Sequence, residues 1–137
     1  MKKITKLRLC DWTLLAMTVV MLGSAVQLEV TSGQDICWVW GHVVLGIAFM
    51  MLVCWHLQLH FNWGNWFVRL KKQKSHVTKW LAVLAVLTLV SAIVATGHWI
   101  GEYAHSSIGG VHGKIGFVFI ALAIGHTVKR IKFFKRR

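Results

Sequence analysis

Residues 38–59 read WVWGHVVLGIAFMMLVCWHLQL. The stretch contains no Asp, Glu, Lys or Arg, and the whole chain lacks proline. At 1.5 Å per residue a helix of this length covers a hydrocarbon core of ~30 Å. Three further stretches are comparably long and predominantly apolar: about Trp12 to Val30, Trp80 to Ile100 and Ile108 to Val128. Lipid offers no water to unpaired backbone groups, so each stretch is expected to be a helix. The fold class read from the sequence is therefore all-α, a four-helix transmembrane bundle forming a single integral membrane domain over residues 1–137. The spans are 12–30, 38–59, 80–100 and 108–128.

The composition agrees. Of 137 residues, 56% are hydrophobic, above the roughly 45–50% of soluble domains. A net charge of +12 would point to nucleic acid if the cations shared a face or stripe. They are instead segregated along the chain. Lys2, Lys3, Lys6 and Arg8 precede the first span, and Arg69, Lys71, Lys72, Lys74 and Lys79 lie between the second and third. Lys129, Arg130, Lys132, Lys135, Arg136 and Arg137 follow the fourth, leaving only Lys114 elsewhere. Glu29, Asp35 and Glu102 fall on the poorer side. The positive-inside rule then places both termini and the middle loop in the cytoplasm. This pattern excludes a nucleic-acid partner, a soluble enzyme, a disordered basic tail and a secreted disulfide scaffold, and makes membrane lipid the first partner.

Residues 1–25 also resemble a signal peptide. The apolar run is long for one, however, and Gly23-Ser24-Ala25 is a weak cleavage site, so a retained first helix is expected. Cys10 and Cys37 are expected on opposite sides of the bilayer, too far apart for a disulfide. With Cys54 they read as apolar filler. No C-x-x-C-H motif is present, which excludes covalent c-type haem attachment.

Eight histidines are the unusual feature, since ionisable side chains are costly inside a bilayer. The second span carries His42, Gly46, Phe49 and His56. The fourth carries His112, Gly116, Phe119 and His126, each 70 positions after its counterpart. The chain is thus two copies of a two-helix unit. Fourteen residues make nearly four turns, so His42 and His56 share a face about 40° apart and about 21 Å along the axis. The same holds for His112 and His126. The two spans run in the same direction, so His42 stands level with His112, and His56 with His126.

Paired imidazoles at two levels suit two non-covalent, bis-histidine b haems, with irons about 20 Å apart. The outer haem would take His42 and His112, the inner one His56 and His126. Gly46 and Gly116 would make room for the macrocycle and Phe49 and Phe119 would wall it. A single intramembrane His more often bonds a neighbouring helix, and the glycines and phenylalanines could be packing residues. Two pairs at one spacing favour ligation. His60, one turn below His56, rivals it as inner ligand, but the repeat puts Arg130 at the matching position. His60 and Arg130 are therefore expected together at the cytoplasmic edge of the inner haem, near its propionates. Proton acceptors for a quinol would be Asp11 or His60 at the inner face, or Glu102, His98 or His105 at the outer. His76 reads as a solvated loop residue.

Two other classes compete. A haem-free transition-metal carrier would want carboxylate or Cys beside the histidines and a water-lined path, whereas only apolar residues are expected to flank these pairs. A haem-free membrane anchor leaves the four histidines without a purpose.

The residues His42 to Phe49, the segment Trp55-His56-Leu57-Gln58-Leu59-His60-Phe61-Asn62-Trp63, and His112 to His126 resemble the flavinylation-associated cytochromes, within the wider group of membrane b-type cytochromes. The four-span plan covers essentially the whole chain, and His-x3-His-x-Asn-Trp is its narrower signature. The fourth span ends instead in Lys129-Arg130-Ile131-Lys132. The resemblance implies two b haems in a bacterial inner (cytoplasmic) membrane. It also implies electron transfer across that membrane, between quinol and an extracytoplasmic flavoprotein or other redox subunit.

Overall fold

The computed structural model describes residues 3–32, 35–61, 63–102 and 107–135. It describes side chains for 5–32, 35–60, 64–65, 68–101 and 107–129. Asn62 and His105, and the side chains of Trp63, Glu102 and Arg130, lie outside these ranges.

Four long helices carry the described chain: α1 (Lys3–Val30), α2 (Ile36–Phe61), α4 (His76–Glu102) and α5 (Ser107–Lys135). Each is long and apolar enough to cross a membrane, so the chain is a multi-pass membrane protein. Every expected span lies inside one of them. A 3-10 turn (Trp63–Asn65) and a short helix α3 (Trp66–Lys72) fill the basic connection between the hairpins.

The helix ends follow local chemistry. The Asp35 carboxylate accepts from the backbone N–H of Cys37 at 2.9 Å and of Trp38 at 3.4 Å, capping α2. Ser75 Oγ accepts from the Thr78 N–H at 3.4 Å at the start of α4. α1 closes in a turn at Thr31 and Ser32, where Ser32 adopts a left-handed φ of 52°.

α1 packs along α2 and α4 along α5, so each copy of the repeat is one helical hairpin, and α1 also packs against α5. Across the interior the repeat mates meet. The rings of Phe49 and Phe119 lie 6.1 Å apart at 70°, and those of His42 and His112 lie 6.3 Å apart at 75°. A pseudo-two-fold axis therefore runs along the bundle between α2 and α5. The symmetry is incomplete: on the α2–α4 side the rings of Trp40 and Trp99 meet at 5.8 Å.

The buried core is small. Met21, Phe49, Ala85, Phe119 and Ile120 form its centre, with Leu14, Met17, Leu45, Val53, Leu81 and Ile124 packed around it. Large apolar side chains face outward along every long helix, among them Val19, Val44, Ile47, Met51, Val86, Ile93 and Val118. Such a continuous surface is a liability in water and a natural boundary with acyl chains. Lipid is thus a partner that the fold itself requires.

Candidate functional site

Four antiparallel passes put both chain ends at one end of the bundle. The level of His56 and His126 is called proximal to that end, and the level of His42 and His112 distal.

At the distal level each histidine is held by a serine of the other helix in its hairpin. Ser24 Oγ on α1 lies 2.9 Å from His42 Nδ1, and Ser91 Oγ on α4 lies 3.1 Å from His112 Nδ1. A serine hydroxyl has one proton to give. Ser24 donates it to the Met21 carbonyl at 2.9 Å, and Ser91 donates to the Thr88 carbonyl at 3.1 Å. With the hydroxyl protons placed on the carbonyls the serine oxygens accept, and the tautomer that suits both contacts carries the histidine proton on Nδ1. In that tautomer each Nε2 keeps its lone pair, the form in which imidazole ligates a metal. A backing acceptor on the other ring nitrogen is the usual support of a metal-binding His.

The spacing fits a shared ion. Metal–imidazole bonds of ~2.0 Å, plus ~1 Å from nitrogen to ring centre on each side, place two axial imidazoles ~6 Å apart. The observed separation of the ring centres is 6.3 Å. The glycines one turn further on are not demanded by the protein's own packing. A Cβ built on Gly116 would meet nothing within 4 Å, and one on Gly46 only the end of Met21 at 3.9 Å. A Cβ would thus be accommodated at either position, as it would at Gly23, Gly113 and Gly125. Phe49 lies seven residues from both His42 and His56, about 10 Å from each level, so the Phe49–Phe119 pair sits midway.

No family model, curated protein or solved structure matches this chain. The geometry must carry the functional reading.

The proximal level differs. His56 and His126 line a cavity of about 250 Å³, together with Arg8, Asp11, His60 and Thr78. That volume is just under the roughly 300–1,000 Å³ of ordinary cofactor pockets, so a macrocycle would require the proximal ends of the helices to part slightly. Asp11 Oδ1 on α1 lies 2.9 Å from His56 Nδ1. The two are close as an ion pair, but no hydrogen bond joins them and Nδ1 is buried. The His60 ring lies 4.5 Å from that of His56. Candidate ligand atoms of Asp11, His56 and His60 all fall within 4.8 Å of one another.

The expectation that only apolar residues flank the histidines is therefore corrected. Serines support the distal pair and a carboxylate reaches the proximal one, because α1 and α4 bring their polar groups to the histidine faces of α2 and α5. His60 does lie beside His56, but its expected companion Arg130 has no described side chain. The cation seen at this cavity is Arg8, whose Nε is buried. His98 is half-buried on α4, and His76 is exposed at the start of that helix.

Sequence reasoning missed Ser24, Ser91 and Arg8 and gave Asp11 only a proton-accepting role. An acid within an apolar span is a signal in itself. The serines carry none, being common between membrane helices. They are also out of register with the repeat, lying 18 residues from His42 in one hairpin and 21 from His112 in the other.

Proposed function

We propose that this chain is a di-haem b-type cytochrome that relays electrons between the two faces of a membrane. His42 and His112 hold the distal haem, and His56 and His126 the proximal one. The observation that carries this reading is the distal pair: repeat-equivalent imidazoles at ligand spacing, each with Nδ1 backed by a serine and Nε2 left to bind. A bis-histidine b haem supplies reversible one-electron exchange with no open axial position. The chain's own residues orient the ligands, keep water from the distal site with lipid-facing apolar walls, and place an aromatic pair between the levels. The segregation of basic residues supports an orientation with both termini cytoplasmic, and the flavinylation-associated cytochrome resemblance supports a bacterial inner (cytoplasmic) membrane. In that orientation the proximal cavity faces the cytoplasmic side. Quinol and an extracytoplasmic flavoprotein, or another redox subunit, are the exchange partners that the flavinylation-associated cytochrome resemblance supports.

The test is a reduced-minus-oxidised spectrum of the purified protein with haem stoichiometry. Two b haems per chain are expected. A colourless preparation from haem-replete cells overturns the reading.

A second reading has one observation in its favour. Asp11, His56 and His60 supply the carboxylate and imidazole set that a transition-metal carrier needs at one station. Metal analysis of the same preparation separates the two, since a carrier would hold a non-haem metal and give no haem spectrum.

A further inference from the structure

The two levels carry repeat-equivalent histidines and differ in what stands beside them. Behind the distal pair are two hydroxyls, Ser24 and Ser91, both neutral. Behind His56 is the Asp11 carboxylate, largely shielded from solvent with a relative exposure of 15%. The Asp11 Oδ1 lies 2.9 Å from His56 Nδ1 without hydrogen-bond alignment, so it acts on this level as a nearby charge. Negative charge held in a low-dielectric site favours the oxidised, more positive metal.

Resting on the di-haem reading, we infer that Asp11 is a positioning residue that makes the proximal haem the lower in potential, so that electrons run downhill from the Asp11 level to the serine level. His56 and His126 would hold the donor haem and His42 and His112 the acceptor, and the bound groups would supply reversible one-electron exchange, the donor losing the one electron that the acceptor gains. No bond is made or broken and no proton moves. A quinol is the class of reductant that would refill the proximal level, and a flavin the class of oxidant that would drain the distal one.

The other groups at the cavity do not reverse this order. Arg8 on α1 opposes Asp11 in charge, but no described contact joins it to His56. Among the described residues, His60 on α2 and His126 on α5 complete the ionisable groups facing the cavity. The other basic residues at this end lie mostly in the terminal turns of the long helices and in α3, where salt screens them.

The experiment is a redox titration of the haem-loaded protein, with the two components followed by their spectra. His42→Ala assigns them and is expected to remove the higher-potential component. Asp11→Asn is expected to raise the lower-potential component alone. At fixed ambient potential its reduced-to-oxidised ratio should rise about tenfold, equivalent to about 59 mV for one electron. Asp11→Glu, which keeps the carboxylate, should stay near the wild type.

A readout without haem covers loss of the cofactor in Asp11→Asn. In the haem-free protein the His56 ring nitrogens should show the proton on Nδ1, and Asp11→Asn should shift that signal. Two haems whose potentials ignore Asp11→Asn, or loss of the lower-potential component in His42→Ala, overturn the inference and leave the cytochrome reading standing. A protein with no haem overturns both.

Discussion

A serine hydroxyl that gives its proton to a carbonyl accepts from the histidine beside it, an arrangement that suits Nε2 as the free nitrogen of His42 and His112. Ser24→Ala removes that acceptor and leaves a buried N–H unpaired, at a cost of about 1–3 kcal/mol. Loss of a supporting partner of this kind lowers metal-site affinity by about 10–100-fold. The expected outcome for Ser24→Ala is faster loss of the distal haem to a soluble scavenger, with the proximal haem retained. Ser91→Ala should do the same, and the double variant should cost less than the sum, because both act on one site. At this scale the sequence showed half of the arrangement. The histidines stood out because a bilayer penalises them and because both pairs have one spacing. The serines did not, because nothing in a membrane helix makes one serine differ from another until its neighbour is known. Asp11 lay between these cases, visible as an intramembrane acid but with its partner on another helix.

The apolar stretches marked where each helix had to exist, though not where it stopped. Backbone hydrogen bonding continues past the bilayer edge, and α5 runs on to Lys135 through residues whose positive charge suits a helix C-terminus. The short helix α3 was hidden for a related reason, since its Arg69, Lys71 and Lys72 read as a charged connection. Inside the bundle, the Phe49–Phe119 pair is a central packing contact between the two hairpins. In lipid the transfer part of a large-to-small substitution is small, because acyl chains are as apolar as the core. Only the cavity part remains. Phe119→Ala should therefore destabilise by about 2 kcal/mol, from ~100 Å³ of lost volume at ~24 cal/mol per Å³. Denaturant unfolding in detergent would measure it. Gly116 gives the converse case, since its missing Cβ faces open space. Gly116→Leu should leave helix content and membrane insertion unchanged and reduce the distal haem, read as haem per chain in the purified protein. Full haem content in Gly116→Leu would show that no macrocycle lies against that face.

The orientation of the whole molecule gives the two levels their biological meaning, and one cysteine can report it. Cys37 is exposed at the start of α2, at the distal end, whereas Cys10 is fully buried and Cys54 lies within the α2 span, exposed toward lipid. A membrane-impermeant maleimide can therefore reach only Cys37 on the native protein. If the basic clusters hold the termini in the cytoplasm, Cys37 is labelled in intact spheroplasts. Ser75→Cys, in the connection before α4 at the opposite end, would then be labelled only after the membrane is opened. The reverse pattern would put the Asp11 cavity on the outside. It would leave the fold and the histidine geometry untouched but would turn the downhill direction of electron flow inward. The same charges would then have failed as an orientation signal, so the labelling decides a question that neither the helices nor the histidines can answer alone. The expected result joins the two asymmetries of the chain. The cations fix which face the proximal cavity meets, and the Asp11 carboxylate fixes which way an electron leaves it.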